Sequence, residues 1–187
     1  MPSVSASSLD RMAGTTGDVM VINQHHLMRN YQPIKNMLGH KAIEHGVSYG
    51  LSEAGYDIRI KQSIHFTKDS DGSRIVGVMH PDGPDFEEGR FVIASTIEEF
   101  DMPNSLVGVV HDKSTWARRG LSVFNTVIEP KWKGWLTLEL VYHGNDNLVI
   151  PAGAGIAQVI FHELIEPAEY SGKYNNQPDH PVAARES

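Results

Sequence analysis

Glu139 stands inside Trp132-Lys133-Gly134-Trp135-Leu136-Thr137-Leu138-Glu139-Leu140, a run that otherwise reads as a buried strand. A strand core rarely takes an acid, because an unpaired carboxylate out of water is costly. Upstream, Lys113-Ser114-Thr115-Trp116-Ala117-Arg118-Arg119-Gly120-Leu121 supplies a hydroxyl and cations. A carboxylate, a hydroxyl and a guanidinium form a kit for activating water on a polar substrate. Ser114 and Arg118 are four residues apart, so a helical turn would set them on one face. The free N–H groups at the start of such a turn favour an anion, and Lys113, Arg118 and Arg119 add positive charge.

Each of these features also has a plainer reading. Ser114 suits an N-cap, and the segment then becomes a surface helix with solvated basic residues. Strand alternation puts Leu136, Leu138 and Leu140 on one face and Thr137 and Glu139 on the other, where a surface acid is ordinary. Glu129, in the turn Ile128-Glu129-Pro130-Lys131-Trp132-Lys133-Gly134, would contact a sugar hydroxyl, a metal-bound water or nothing. The ten histidines are scattered, with neither H-E-x-x-H nor H-x-E followed by P-C-x-x-C, so no zinc site is expected. Gly153-Ala154-Gly155-Ile156 precedes a strand and no helix, which is a turn rather than a dinucleotide fingerprint. The P-loop and Gly-x-Ser-x-Gly patterns are absent.

The elements that must position these groups are mostly strands. Short β-type runs span 56–60, 63–66, 74–79, 90–95, 105–110, 121–124, 136–142, 147–150 and 156–161. Asp71-Gly72, Asp82-Gly83-Pro84, Met102-Pro103-Asn104, Gly144-Asn145-Asp146 and Pro151-Ala152-Gly153 punctuate them as turns. Many short strands at this spacing predict a sandwich, jelly roll or barrel. Helix is expected at 114–119 and, from apolar spacing broken by Pro33 and Gly39, within 19–45. Residues 1–18, rich in Ser, Ala, Gly and Thr, are expected to be flexible, 19–167 to form one domain, and 168–187 to form an extended polar tail.

With 187 residues the chain can bury a proper core. Its net charge of −7 argues against a nucleic-acid polymer as partner, although one cleft can still be cationic. The absence of cysteine removes disulfides and Cys-based zinc sites. No apolar stretch reaches membrane-spanning length and no secretory pattern opens the chain, so a cytoplasmic location is expected.

Four segments in order resemble the dCTP deaminases, relatives of the trimeric dUTPases, over about Leu51 to Arg185. Ala54-Gly55-Tyr56-Asp57-Ile58-Arg59-Ile60 is similar to an early S-Y-D-x-R-x strand. Phe91-Val92-Ile93-Ala94-Ser95-Thr96 leads through Pro103 to Lys113–Leu121, similar to R-S-S-L-A-R-x-G-L. Ile128–Gly134 with Thr137-Leu138-Glu139 is similar to I-D-x-G-[FW]-x-G and x-L-E. Gly155-Ile156-Ala157-Gln158-Val159-Ile160-Phe161 is followed by Lys173-Tyr174-Asn175-Asn176-Gln177, which looks like the K-Y-x-x-Q closing segment. The order of all four, with the spacing from Trp132 to Glu139 kept, is what makes the resemblance specific.

The resemblance implies a mainly β, dUTPase-like jelly-roll or barrel and a homotrimer with shared active sites acting on a deoxynucleoside triphosphate. It implies Mg2+ bound through the triphosphate, with no zinc and no direct protein ligand. Glu139 would be the acid/base, with Ser114 and Arg118 as its catalytic partners. Lys113, Thr115, Trp116, Ala117, Glu129, Thr137 and Leu138 would bind substrate, and Tyr170, Lys173 and Gln177 would close over it. The implied activity is deamination of dCTP to dUTP. Alternatives are a bifunctional deaminase yielding dUMP and pyrophosphate, a dUTPase-type pyrophosphohydrolase, and a non-catalytic nucleotide-binding regulator. Three departures stand out: Lys113 replaces a family Arg, Glu129 replaces an Asp, and the 121–132 segment is two residues shorter.

Overall fold

The computed structural model describes residues 20–124 and 127–186. The expected flexible segment 1–18 lies outside the described residues. The chain is mainly β, as expected. In order it forms β1 (Val21–Ile22), α1 (Gln24–Asn30), β2 (Lys41–Glu44), β3 (Val47–Leu51), β4 (Tyr56–Arg59), β5 (Ser63–Lys68), β6 (Arg74–His80) and β7 (Gly83–Glu88). It continues with β8 (Phe91–Asp101), β9 (Leu106–Asp112), α2 (Ser114–Ala117), β10 (Leu121–Val123), β11 (Val127–Ile128), β12 (Lys133–Tyr142), β13 (Leu148–Ile150) and β14 (Gly155–Glu163).

These strands make three antiparallel sheets. The largest runs β11-β9-β14-β4-β3-β2, with β1 also pairing β14. The second is β10-β12-β8 and the third β13-β5-β6-β7. Between them lies a core that includes Tyr56, Ile58, Phe66, Phe100, Leu138, Leu140 and Phe161, all buried. Alternation explains the burial: in β14, Gly155 to Ala157, Val159 and Phe161 are buried, while Gln158, Ile160 and His162 are only partly so.

The N-terminal helical expectation over 19–45 holds only for α1. Gln32 and Asn36 adopt left-handed backbone angles (φ 46° and 53°) on either side of Pro33, which breaks the helical run. Beyond them the chain forms β2 and β3, joined by His45-Gly46 with φ of 52° and 74°. Two successive positive φ values match the handedness of a tight hairpin, and Gly46 takes the second at little cost. β7 is a further strand that turn residues concealed. Pro84 sits there on the open edge of the third sheet, where its missing N–H costs no ladder bond.

One polar tie joins the largest sheet to the second. Arg59 of β4 donates through its backbone N and its Nε to the two carboxylate oxygens of Glu98 on β8, at 2.8 and 2.9 Å. Its guanidinium also lies over the Tyr49 ring. Burial pushes the Glu98 carboxyl up, while the Arg59 hydrogen bonds and charge oppose that shift. Glu98 is 3% exposed and Arg59 26%. Breaking a buried pair costs about 3–5 kcal/mol. Because Arg59 keeps some water, Glu98→Ala is expected to lose about 3 kcal/mol, the low end of that range, in denaturant unfolding. A loss below about 1 kcal/mol, the range of exposed pairs, would remove this tie from the account of the fold.

Candidate active site

The pairing of β12 with β8 sets the site. Thr137 faces Ser95, Leu138 faces Ala94 and Glu139 faces Ile93. Between Trp135 and Thr137 the register shifts, because β8 carries extra residues opposite Leu136. Thr96 Oγ1 fills that irregularity, accepting from the Leu136 N–H at 3.1 Å and donating to the Glu98 carbonyl at 2.8 Å. Beyond the bulge Leu138 turns into the core, fully buried, and Thr137 and Glu139 turn the other way.

They turn into a cavity of about 930 Å³. Its floor is β8 and β12, and one wall is the β6–β7 hairpin, with Val76, Val78, His80, Asp85 and Glu87. Ile128, Glu129 and Trp132 form another side. The cover is the tail, through Tyr170, Tyr174, Gln177 and the segment 181–184. Burial pushes the Glu139 carboxyl up from the ordinary glutamate range. No donor among the described residues bonds its side chain to offset the lost water.

The tail is docked. Gln177 N–H donates to the Lys133 carbonyl, and its own carbonyl accepts from the Trp135 N–H, forming a short parallel bridge beside Gly134. Gly134 has φ +119°, and a Cβ there would lie 2.3 Å from the Gln177 carbonyl oxygen. Thr137 Oγ1 donates to Gln177 Oε1 at 3.0 Å and accepts from the Val182 N–H at 3.1 Å. Trp132 Nε1 donates to the Tyr174 carbonyl at 2.6 Å, and the Tyr170 N–H donates to the Pro130 carbonyl at 2.9 Å.

Five expected residues therefore meet in one cavity: Glu139, Thr137, Glu129, Tyr170 and Gln177. Leu138 points into the core instead. Lys173 is exposed beside the cavity, its Nζ donating to the Arg185 carbonyl at 2.5 Å and stacked over Tyr174. Ser114, Thr115, Ala117 and Arg118 do not line this cavity and are exposed on α2. Trp116 is buried, with Nε1 donating to the Gly155 carbonyl at 2.7 Å. Lys113 turns inward to Asp57 at 2.5 Å. Ser114 is not the N-cap: Lys113 holds that position, and no side chain caps the turn. The helix is four residues long, with Arg118 at its C-cap. His80, Asp85, Glu87 and Trp132 line the cavity without having been singled out by sequence. Only the hairpin turn at Asp82-Gly83 hinted that β6 and β7 would form a wall.

The dCTP deaminase-like family model matches residues 32–164. The chain belongs to that family. It is 36% identical over 146 residues to the dCTP deaminase of Pseudomonas fluorescens, covering 70% of this chain and 77% of that protein. With the dCTP deaminase of Paracidovorax citrulli it shares 36% over 171 residues, covering 82% and 88%. With that of a Polaromonas species it shares 35% over 184 residues, covering 89% and 90%. A native EIAV dUTPase structure is similar at 18% identity and a TM-score of 0.46, covering 67% of this chain and 88% of that one. Among the described residues no helix is long and apolar enough to cross a membrane.

Two outcomes follow from this geometry. Gly134→Ala forces a Cβ against the Gln177 backbone, so the tail should lift. Trypsin should then cut after Lys173 about tenfold faster, as local opening energies predict for a segment that loses its anchor. An unchanged cleavage rate would show that the bridge does not hold the tail. The second concerns pH. Glu139 has a folded pKa above its unfolded value, so its protonated form suits the fold and ionisation costs stability as pH rises through the folded pKa. Glu139→Gln should therefore melt higher than wild type near neutral pH. The difference should disappear below the ordinary glutamate range, where both proteins carry a neutral group; a difference that stays constant with pH would contradict the assignment.

Proposed function

We propose that this protein deaminates dCTP to dUTP, with Glu139 as the proton-transferring group. The observation that carries the reading is a partly buried carboxyl, raised in pKa and free of donors among the described residues, facing a cavity closed by a docked tail. Replacing the C4 amine of cytosine by oxygen needs a base for water, then an acid for the ring nitrogen and the departing ammonia. One carboxyl can serve both steps when its pKa is moved toward the working pH. Glu139 takes a proton from water as the oxygen bonds to C4. It returns that proton to the ring nitrogen, then moves the proton of the new C4 hydroxyl to the amine, so that the C4–N bond breaks, the C4 carbonyl forms and ammonia leaves. Dissolved water and dCTP thus become dUTP and ammonia, with no redox partner.

Charge supports a site completed by a second copy. Asp85, Glu87, Glu129 and Glu139 all line the cavity, and no Lys or Arg among the described residues does. A triphosphate in such a wall would be repelled unless cations arrive from outside it. The exposed α2 turn offers Ser114 and Arg118, and no described acid pairs with the Arg118 guanidinium. In the homotrimer we propose, α2 of one copy faces the Glu139 cavity of the next. Arg118 and Ser114 then stabilise developing charge at the reacting carbon, and Thr115 and Ala117 flank the nucleotide. Glu129 meets the sugar, Thr137 and Gln177 the base, and Tyr170 and Lys173 close from the tail. Mg2+ would travel on the triphosphate and neutralise its oxygens. No group of three or more His, Asp or Glu among the described residues is arranged to grip a metal, so the phosphates would be its ligands. The cytoplasm, where deoxynucleotides are made, is the proposed location.

The test uses dCTP with Mg2+ and identifies every product. Glu139→Gln and Arg118→Ala should each lose deamination by about 10²–10⁴-fold, the usual share of a positioned acid/base or charge stabiliser. Mixed trimers of the two inactive variants should regain activity, because some sites receive an intact Glu139 from one copy and an intact Arg118 from another. Normal turnover in Glu139→Gln would end the acid/base role, and no recovery on mixing would end the shared site. Release of pyrophosphate by wild type would add the second, bifunctional activity.

A further inference from the structure

Lys113 has a different task from its neighbours on α2. Its Nζ lies 2.5 Å from Asp57 Oδ2 and 2.9 Å from Ser48 Oγ. Ser48 closes the triangle by donating to the same carboxylate oxygen at 2.9 Å. The Lys113 side chain is 12% exposed and that of Asp57 3%. The second Asp57 oxygen, Oδ1, is buried and has no hydrogen-bond partner among the described residues, so this carboxylate relies on the lysine for its charge balance. An ammonium committed to a buried acid is a poor ligand for a solvent-borne phosphate, since leaving would strand Asp57 in low dielectric.

The position of this contact gives it a consequence. Lys113 is the residue before α2, and its carbonyl accepts from the N–H groups of Trp116 and Ala117. Ser48 lies on β3 and Asp57 on β4, so the ion pair ties the start of the turn to two strands of the largest sheet. A second anchor follows within the same turn, where Trp116 Nε1 reaches the Gly155 carbonyl of β14. Gly155 leaves no room for slack: a Cβ there would lie 2.0 Å from the Ser48 carbonyl oxygen and 3.4 Å from Lys113 Cε. Held at Lys113 and at Trp116, the turn presents Ser114 and Arg118 on its exposed face. Resting on the deaminase reading above, we propose that Lys113 is a positioning residue: sealed against Asp57 and Ser48, it orients the α2 turn and does not bind phosphate.

The test compares wild type, Lys113→Met, Asp57→Asn and the double variant by dCTP kinetics, by melting temperature, and by the 19F signal of 5-fluorotryptophan at Trp116. Positioning predicts that both single variants lose kcat about tenfold or more with KM for dCTP held within about threefold, as a small misplacement of catalytic groups does. It predicts a moved or broadened Trp116 signal in both. The double variant, free of an unpaired buried charge, should recover its melting temperature while kcat stays low. A kcat that recovers with the melting temperature would reduce the pair to general stability and overturn the proposal. A Lys113→Met variant that raises KM for dCTP, while Asp57→Asn turns over normally, would make Lys113 a phosphate ligand and overturn it too. Should wild type fail to deaminate dCTP, the deaminase reading falls. The Trp116 signal still decides the inference: a shift in both variants keeps Lys113 as the anchor of α2, and an unchanged signal removes it.

Discussion

A strand can offer only every second side chain to a cavity, and the pairing of β12 with β8 decides which. With Thr137 opposite Ser95 and Glu139 opposite Ile93, the acid faces open space while Leu138 and Leu140 complete the core. A slip of one residue would exchange the two sets, burying a carboxylate in hydrocarbon and exposing two leucines. The bulge on β8 therefore matters beyond its size. Thr96 satisfies the Leu136 N–H across the gap, so the irregularity is absorbed before the ladder reaches Thr137. The Arg59–Glu98 tie sits in the same stretch of β8 and fixes it against β4. The position of one carboxyl thus depends on a register set by a hydroxyl and an ion pair several residues away.

Charge is sorted as firmly as shape. Acids collect in the cavity wall, and the basic residues around α2 lie elsewhere on the surface. Among those cations Lys113 is consumed internally by Asp57, Arg119 stacks on Trp116, and Arg118 is the one whose guanidinium has no partner among the described residues. The same turn thus holds a cation that anchors and a cation that is available, one turn apart. Lysine suits the first role, because a compact ammonium fits between a carboxylate and a hydroxyl, where a planar guanidinium needs a wider, fork-shaped partner.

Much of this arrangement was legible in the residues. The alternation in β12 correctly separates Leu138 and Leu140 from Thr137 and Glu139, but Leu136, expected with the other leucines, lines the cavity because the bulge falls at its position; the turn signals locate most strands to within a few residues. Of the tail residues expected to close over the site, Tyr170 and Gln177 line the cavity and Lys173 does not, while Tyr174 lines it without having been expected. Other features were out of reach. The fate of Lys113 depends on Asp57, 56 residues away along the chain, and pairing at that range leaves no local periodicity. The β2–β3 hairpin was hidden because its turn is His45-Gly46 and its strands are short and half-exposed. β7 was hidden because a proline and three acids at a sheet edge read as a loop. Ser114 looked like a cap by residue type, but cap geometry belongs to the backbone, which turns one residue earlier.

The tail links these elements to the chemistry. Its hold on the domain joins a backbone bridge, Gln177 against Lys133 and Trp135, to side-chain bonds from Trp132, Thr137, Asn175 and Lys61. What selects its seat is the absence of a side chain at Gly134 and the hydroxyl of Thr137, which serves Gln177 and Val182 together. Thr137 is two residues from Glu139 on the same face of the same strand. Groups that seat the tail and the Glu139 carboxyl therefore share one strand. The apolar tail segment 181–184 is also part of the wall around Glu139. The docked tail thus shares the enclosure in which burial raises the Glu139 pKa. The docked tail and the shifted carboxyl therefore meet at one cavity, with Thr137 gripping the tail and Glu139 facing the same enclosed space.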